Sequence, residues 1–302
     1  MPRLTSNGIE LEYAVRGDER APPLLLVMGL GMPAAMWPDA FLDALVAEGY
    51  RVVTFDNRDS GASTRLAGTR IPNLPAAIAK ALLRRKVRSP YTLDDMALDT
   101  VGLLDGLAIE RAHVVGVSMG GMIAQVLAAR RPERVWSLTS VMSSTGNPQR
   151  RVAFGTRRAL GAILRPPPPA TDIPATVAHL EQLFDVIGSP GFPQDPLQRR
   201  EHFTHVAQCG LYREGTARQL LAILGSGDRR ELLRGITAPT YVIHGGDDPL
   251  VPLAAGLDTA RCIPGARLEV VMGMGHDFPP TLLASAAARI ADHCRAATRA
   301  AA

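Results

Sequence analysis

No apolar run in this 302-residue sequence is long enough to span a bilayer, which excludes an integral membrane protein built on helical spans. The N-terminal stretch Met1-Pro2-Arg3-Leu4-Thr5-Ser6-Asn7-Gly8 lacks the apolar region of a secretory signal, so the expected location is the cytoplasm. Cysteine is scarce: Cys209, Cys262 and Cys294 are an odd number without metal-ligand spacing, which argues against a disulfide framework and for reduced thiols. There is no large excess of either charge. The formal net charge is +4, carried almost wholly by scattered arginines, too mild an imbalance to indicate a nucleic-acid partner. Internal repeats are absent as well. The only low-complexity pieces are Pro166 to Pro169 and the Ala-rich end.

What is present is apolar residue, 46% of the chain, and length enough for one large α/β domain carrying an insertion. Asn7-Gly8 between Pro2–Ser6 and Ile9–Val15 predicts an opening antiparallel hairpin. The fully apolar run Leu24–Met28 predicts a strand buried on both faces, and Arg51–Phe55, Val114–Val117 and Val135–Met142 predict further buried strands. Helical spacing lies between them, at about 37–48, from Leu93 to Leu107 behind a capping box at Thr92 and Asp95, and from Met119 to about Arg131. This alternation predicts a mostly parallel sheet with helices on both faces. It breaks between about Ser143 and Leu233, where helical patterns at 152–164, 176–187, 197–209 and 216–224 predict an inserted cap. Strand logic resumes at Thr240–His244 and Leu268–Val271, with helices from Leu253 to Cys262 and from Thr281 to about Cys294. The expected division is a core of residues 1–142 and 234–302, with a cap at 143–233.

The chemistry concentrates at Gly116-Val117-Ser118-Met119-Gly120, a Gly-x-Ser-x-Gly motif between a predicted strand and a predicted helix. That context makes a nucleophile elbow: a serine on a strained turn, flanked by residues without bulk, beside a helix N-terminus. A serine nucleophile needs a base, and the base an orienting acid. Among seven histidines, His276 is the candidate base, because the loop Gly273-Met274-Gly275-His276-Asp277 follows the last strand. Active crevices of open α/β sheets lie at the strands' carboxyl ends. His113 starts the elbow strand and is at the wrong end. The loop His244-Gly245-Gly246-Asp247-Asp248-Pro249 supplies two candidate acids. Asp248 precedes proline, which biases it to an extended conformation; Asp247 is the alternative. Two N–H donors are needed for an oxyanion. Met119, after the nucleophile, gives one. The loop Met28-Gly29-Leu30-Gly31 gives the other, from Leu30 or, as a close second, Gly31.

These residues resemble the α/β-hydrolase superfamily over essentially the whole chain. Within it the sequence is similar to bacterial esterases of the aclacinomycin methylesterase type. Leu26-Val27-Met28-Gly29 carries the likeness, with Met28 in place of the more usual His. So does Phe55-Asp56-Asn57-Arg58-Asp59-Ser60-Gly61-Ala62-Ser63, with Asp59 in place of a common glycine. The loops 245–252 and 273–276 match the superfamily's acid and histidine loops. The resemblance implies a triad of Ser118, Asp248 and His276, an oxyanion hole at Leu30 and Met119, and an acyl-enzyme route to carboxylic ester hydrolysis. Neither cofactor nor metal is expected. Serine at the elbow argues against dehalogenases and epoxide hydrolases, which use aspartate there. The expected partner is a small, mainly apolar ester, with neither nucleic acid nor stable membrane insertion. Oligomeric state is left open. Acyl transfer, carbon–carbon hydrolysis and perhydrolysis by the same triad are rival readings, as is a non-catalytic binding protein on this fold.

Two weaker patterns remain. Glu201-His202-x-x-His205 is not a His-Glu-x-x-His zinc motif and is read as a polar helix face. Residues 76–88 put Ile78, Ala79, Leu82, Leu83 and Val87 opposite most of Lys80, Arg84, Arg85, Lys86 and Arg88. They are read as a packed surface helix, with contact to anionic lipid or cover over the pocket as alternatives. Phe184 and Phe203 are the expected specificity residues of the cap.

Overall fold

Asn7 and Gly8 both take positive φ, 48° and 77°, the combination a two-residue type I′ hairpin requires. They join β1 (Arg3–Ser6) to β2 (Ile9–Arg16). The computed structural model describes residues 2–69, 71 and 73–301. After the hairpin come β3 (Pro23–Val27), α1 (Asp39–Ala47), β4 (Arg51–Phe55), α2 (Leu74–Leu82), α3 (Leu93–Gly106), β5 (Ala112–Val117), α4 (Met119–Arg130) and β6 (Val135–Val141). Six helices intervene before the next strand: α5 (Arg150–Ala153), α6 (Arg157–Ile163), α7 (Ile173–Ile187), α8 (Pro196–Cys209), α9 (Arg213–Ser226) and α10 (Arg230–Leu233). The chain closes with β7 (Thr240–Gly245), α11 (Leu253–Cys262), β8 (Arg267–Val271) and α12 (Leu283–Ala301).

The eight strands form one sheet in the order β1-β2-β4-β3-β5-β6-β7-β8. The first two pairings are antiparallel and the rest parallel. Both faces of the inner strands are buried. Leu25 and Val27 of β3 join a core with α3 and α4, while Leu24 and Leu26 join another with α1 and α12. This is why β3 reads as an unbroken apolar run rather than an alternation. The register Val27↔Gly116, Gly116↔Ser140 and Val141↔Ile243 brings the carboxyl ends of β3, β5, β6 and β7 level. Four site loops leave from that edge.

The hydroxyl of Thr92 accepts from the Asp95 N–H, and the Asp95 carboxylate accepts from the Thr92 N–H, so α3 starts where the capping box predicts. Three helices depart from expectation. The run 152–164 is two helices, broken at Phe154-Gly155-Thr156. A Cβ on Gly155 would lie 2.2 Å from the Pro249 carbonyl oxygen, and the Thr156 N–H donates to that oxygen at 2.7 Å. The chain passes too close to the acid loop there to remain helical, and Thr156 caps the new start. Helix α2 ends at Leu82, six residues early. Arg84 takes φ +54°, with Arg85 N–H bonded to Lys80 O and Arg84 N–H to Ala81 O, the pair of bonds that closes a Schellman motif. Leu82 and Leu83 are consequently exposed rather than packed. The last helix runs beyond Cys294 to Ala301.

The inserted helices divide in their packing. α6, α7 and α8 share small apolar clusters of their own around Leu180, Phe203, Ala159 and Leu183. Ala222 of α9 and Leu233 of α10 instead enter the core beneath α4.

His113 is 1% exposed near the amino end of β5. Its Nδ1 lies 2.8 Å from Ser137 Oγ and its Nε2 3.3 Å from Thr298 Oγ1. Burial, with the charges of His293 and Arg111 adding, pushes its pKa down to about 4. A base whose folded pKa is depressed contributes its full stability above the unfolded value of roughly 6.5 and loses it as pH falls towards 4. Denaturant melts should therefore show about 2–3 kcal/mol less stability at pH 4.5 than at pH 7 from this residue alone. The His113→Gln variant should lose that part of the pH dependence, and equal pH slopes for the two proteins would refute the assignment.

Candidate active site

Ser118 occupies the junction of β5 and α4 with φ 54° and ψ −119°, a backbone region costing a non-glycine residue about 1–3 kcal/mol. Neighbouring bonds hold it there: its N–H donates to Val141 O at 2.9 Å, and its carbonyl accepts from Ser143 Oγ at 2.7 Å. The flanking glycines are required by close approach. A Cβ on Gly116 would lie 2.2 Å from the Gly120 oxygen, and one on Gly120 would lie 2.0 Å from the Val27 oxygen.

His276 follows β8, and its Nε2 lies 3.0 Å from Ser118 Oγ. Its Nδ1 lies 2.7 Å from Asp248 Oδ2. The other oxygen of Asp248 accepts from the Leu250 and Val251 N–H groups at 2.9 and 2.8 Å, so the carboxylate is aimed from both sides. Asp247 points elsewhere: it is exposed, and its carboxylate accepts from the Gly273 N–H at 2.7 Å. Thus the three residues picked from separate loops meet, and the alternative acid braces the histidine loop instead.

The loop after β3, where the sequence places one oxyanion donor, sits against the elbow. A Cβ on Gly29 would lie 3.3 Å from Ser118 Cβ. Leu30 and Gly31 differ in their hydrogen bonding. The Gly31 N–H is taken by Gln219 Oε1 at 2.7 Å, whereas no acceptor for the Leu30 or Met119 N–H occurs among the described residues. Gln219 of α9 is wholly buried, and its amide also donates to the Arg58 carbonyl at 2.7 Å. Sequence reasoning missed this residue.

Its neighbour Arg218 was missed too. Arg218 is 1% exposed and forms a fork on Asp59, Nε to Oδ2 at 2.8 Å and Nη2 to Oδ1 at 2.7 Å. The Tyr91 hydroxyl adds a third bond to Asp59 at 2.9 Å. Asp59 itself has φ +65°, consistent with a position where glycine is common. The signal that could have pointed to Arg218 was Asp59 itself, a carboxylate in a glycine's place that needs a counter-ion once buried. Elsewhere in that loop, Asp56 accepts from the Ala34 and Ala62 N–H groups, and Asn57 Nδ2 donates to Met28 O at 3.0 Å.

The inserted helices also hold the histidine loop. The His276 N–H donates to Ile187 O at 2.7 Å and the Gly275 N–H to Ser189 Oγ at 2.9 Å. The same hydroxyl donates to buried Asp277, which also accepts from Gln194 Nε2 at 2.7 Å. Burial raises the Asp277 pKa, with those bonds opposing. The insertion does more than roof the site, contrary to the simple expectation.

Ser118 and His276 open into a cavity of about 1150 Å³, lined mainly by apolar side chains including Met32, Met36, Trp37, Phe184 and Phe203. The two phenylalanine rings also pack on each other, with centroids 5.2 Å apart, so each serves both the wall and the fold of the insertion. His202 lines the cavity as well, and His205 is exposed. Among the described residues, no three His, Cys, Asp or Glu side chains cluster to hold a metal.

Removing one partner of a buried ion pair strands the other charge, at a cost of about 3–5 kcal/mol. Asp59→Asn should lower unfolding stability by that order in urea melts. A loss under 1 kcal/mol would show that the pair does not brace the fold.

Comparison with known proteins bears on the family. Residues 22–280 match the family model described as the alpha/beta hydrolase fold. Rhodomycin D methylesterase DnrP of Streptomyces peucetius is 29% identical over 98% of each chain, in keeping with the resemblance to bacterial methylesterases. 3-Oxoadipate enol-lactonase 2 of Acinetobacter baylyi is 30% identical over 89% of this chain and 87% of that one. Among solved structures, the enol-lactonase of Burkholderia xenovorans LB400 superposes with a TM-score of 0.70 at 25% identity, covering 97% of this chain and all of that one. A meta-cleavage product hydrolase of Pseudomonas fluorescens IP01 reaches 0.74 at 22% identity over 98% of both, which speaks to the fold. With its mostly parallel eight-stranded sheet, its serine elbow and a family match across most of its length, the chain belongs to the α/β-hydrolase family.

Proposed function

We propose that Ser118, His276 and Asp248 are the catalytic triad of this carboxylic ester hydrolase. The observation that carries the reading is the unbroken chain from Ser118 Oγ through both nitrogens of His276 to Asp248, at 3.0 and 2.7 Å. His276 Nε2 takes the serine proton as Oγ attacks the ester carbonyl. Asp248 fixes the tautomer that leaves Nε2 free to do so. The Leu30 and Met119 N–H groups stabilise the oxyanion, each donor of this kind being worth about 10²–10³ in rate. Gln219 supports Leu30 over Gly31 as the donor, because it already occupies the Gly31 N–H. The imidazolium then gives its proton to the leaving alcohol. Water activated by His276 releases the acid from the acyl-enzyme. None of these steps uses a cofactor.

The substrate is a small, mainly apolar ester. The methionine and phenylalanine walls support this, as do the activities named for the relatives, methyl ester and enol-lactone hydrolysis. The cap is assigned to residues 143–233 and the core to 1–142 and 234–302. The insertion of α5 to α10 between β6 and β7 supports these limits. Three free cysteines support a cytoplasmic location, and no helix among the described residues is long and apolar enough to cross a membrane.

Ser118→Ala should reduce kcat by about 10⁶-fold with the fold intact, and abolish labelling by a fluorophosphonate probe. A variant that kept a tenth of wild-type turnover would remove Ser118 from the nucleophile role. The acid is tested separately. Asp248→Asn should cost roughly 10⁴-fold in kcat through the wrong imidazole tautomer, and Asp247→Asn far less. The reverse ranking would transfer the role to Asp247.

A further inference from the structure

Two long stretches of the chain contain no acidic residue at all: none lies between Asp59 and Asp94, and none between Glu133 and Asp172. Both of the protein's lysines, Lys80 and Lys86, fall in the first. Both stretches contribute to the lining of one cavity. Leu82, Arg84, Arg85 and Lys86 from the first, and Phe154 and Leu164 from the second, line the cavity into which Ser118 opens. All six are exposed, so they form part of its rim.

The rim joins uncovered apolar surface to uncompensated positive charge. Leu82 and Leu83 are 56% and 67% exposed, and Phe154 and Leu164 39% each. Several arginines elsewhere sit beside carboxylates, as in Arg130–Asp94, Arg134–Asp105, Arg230–Asp228 and Arg295–Glu48. Around the rim, Arg84, Arg85, Lys86, Arg88, Arg157 and Arg158 have no carboxylate within ion-pair distance among the described residues. The early end of α2 creates the feature. With Arg84 in the left-handed conformation, the helix stops and two leucines are left facing solvent beside a run of cations.

We infer that this rim docks on an anionic lipid surface. Cations flanking exposed leucines match the two attractions that hold a peripheral protein at a membrane: apolar side chains entering the acyl boundary, and basic groups among anionic headgroups. A soluble polyanion would use the charges but leave the leucines uncovered. The surface is independent of the role assigned to Ser118. If that role holds, esters dissolved in a lipid layer reach the nucleophile through the docked rim without crossing water, and this names the substrate class as esters that partition into lipid.

Sedimentation of the protein with lipid vesicles tests the surface without any turnover, so its outcome is separate from that of the serine variant. Phosphatidylglycerol vesicles should bind the wild-type protein well over tenfold more tightly than phosphatidylcholine vesicles, and raising salt should weaken the binding. Each cation near the surface is worth roughly fivefold in partition, so Arg85→Glu/Lys86→Glu/Arg88→Glu should reduce binding by more than 100-fold. Leu82→Ser/Leu83→Ser, with every charge kept, should reduce it several-fold. Thermal melts establish that both variants are folded. Equal binding to the two lipids would overturn the inference. So would salt-sensitive binding that ignores the leucine changes and is matched by heparin, because the rim would then be a site for soluble polyanions.

Discussion

The arrangement of this site rests on a buried ion pair, Asp59 with Arg218, that lies outside the proposed triad. Asp59 leaves the loop after β4, and Arg218 comes from a helix 159 residues later. A guanidinium and a carboxylate removed from water tolerate little displacement, since either one alone would be stranded. Their fork therefore fixes the place of α9 on the core. The next residue on that helix, Gln219, then bonds the Gly31 N–H and the Arg58 carbonyl. The loop after β3 is thus positioned through a helix that belongs to the insertion, by way of a charge pair next door.

The second constraint is steric. The elbow places Ser118 in a strained backbone conformation while β5, α4 and β3 pass within contact distance. Glycine at 116 and 120 is the condition for that approach, and bonds from Val141 and Ser143 hold the strained residue. Strain at Ser118 is thereby balanced by ordinary strand and loop hydrogen bonds around it.

Much of this could be read in the sequence where the information is local. The hairpin at Asn7-Gly8, the capping box at Thr92, the helix Leu253–Cys262 and the serine elbow all declare themselves within a few residues. His276 was legible because a loop after the last strand has only one place to go in a parallel sheet. Asp248 and Asp247 were harder to separate: both sit in one turn, and what tells them apart is the contact of Asp248 with His276 and the bond of Asp247 to the Gly273 N–H, contacts with loops far along the chain. The residues that escaped were those acting at long range. Gln219 and Arg218 lie on a helix whose local pattern says nothing about partners in loops far back along the chain. The break at Gly155 and the early end of α2 have the same character. One comes from contact with the Pro249 carbonyl, the other from a single left-handed arginine.

The hydrogen bonds that the site loops donate to Ile187, Ser189 and Gln219 bear on how this scaffold can be re-engineered. A helical insertion spliced in between two strands invites exchange as a self-contained module. Here a graft that replaced the whole insertion would remove the acceptor of the His276 N–H and the brace of the oxyanion loop at the same time. A transplant that kept the 187–194 turn and α9 as part of the recipient, and exchanged only the helices between α5 and the first turns of α7, would alter the chamber and leave its machinery in register. The useful seam for recombination lies inside the insertion, away from the points where it leaves and rejoins the sheet.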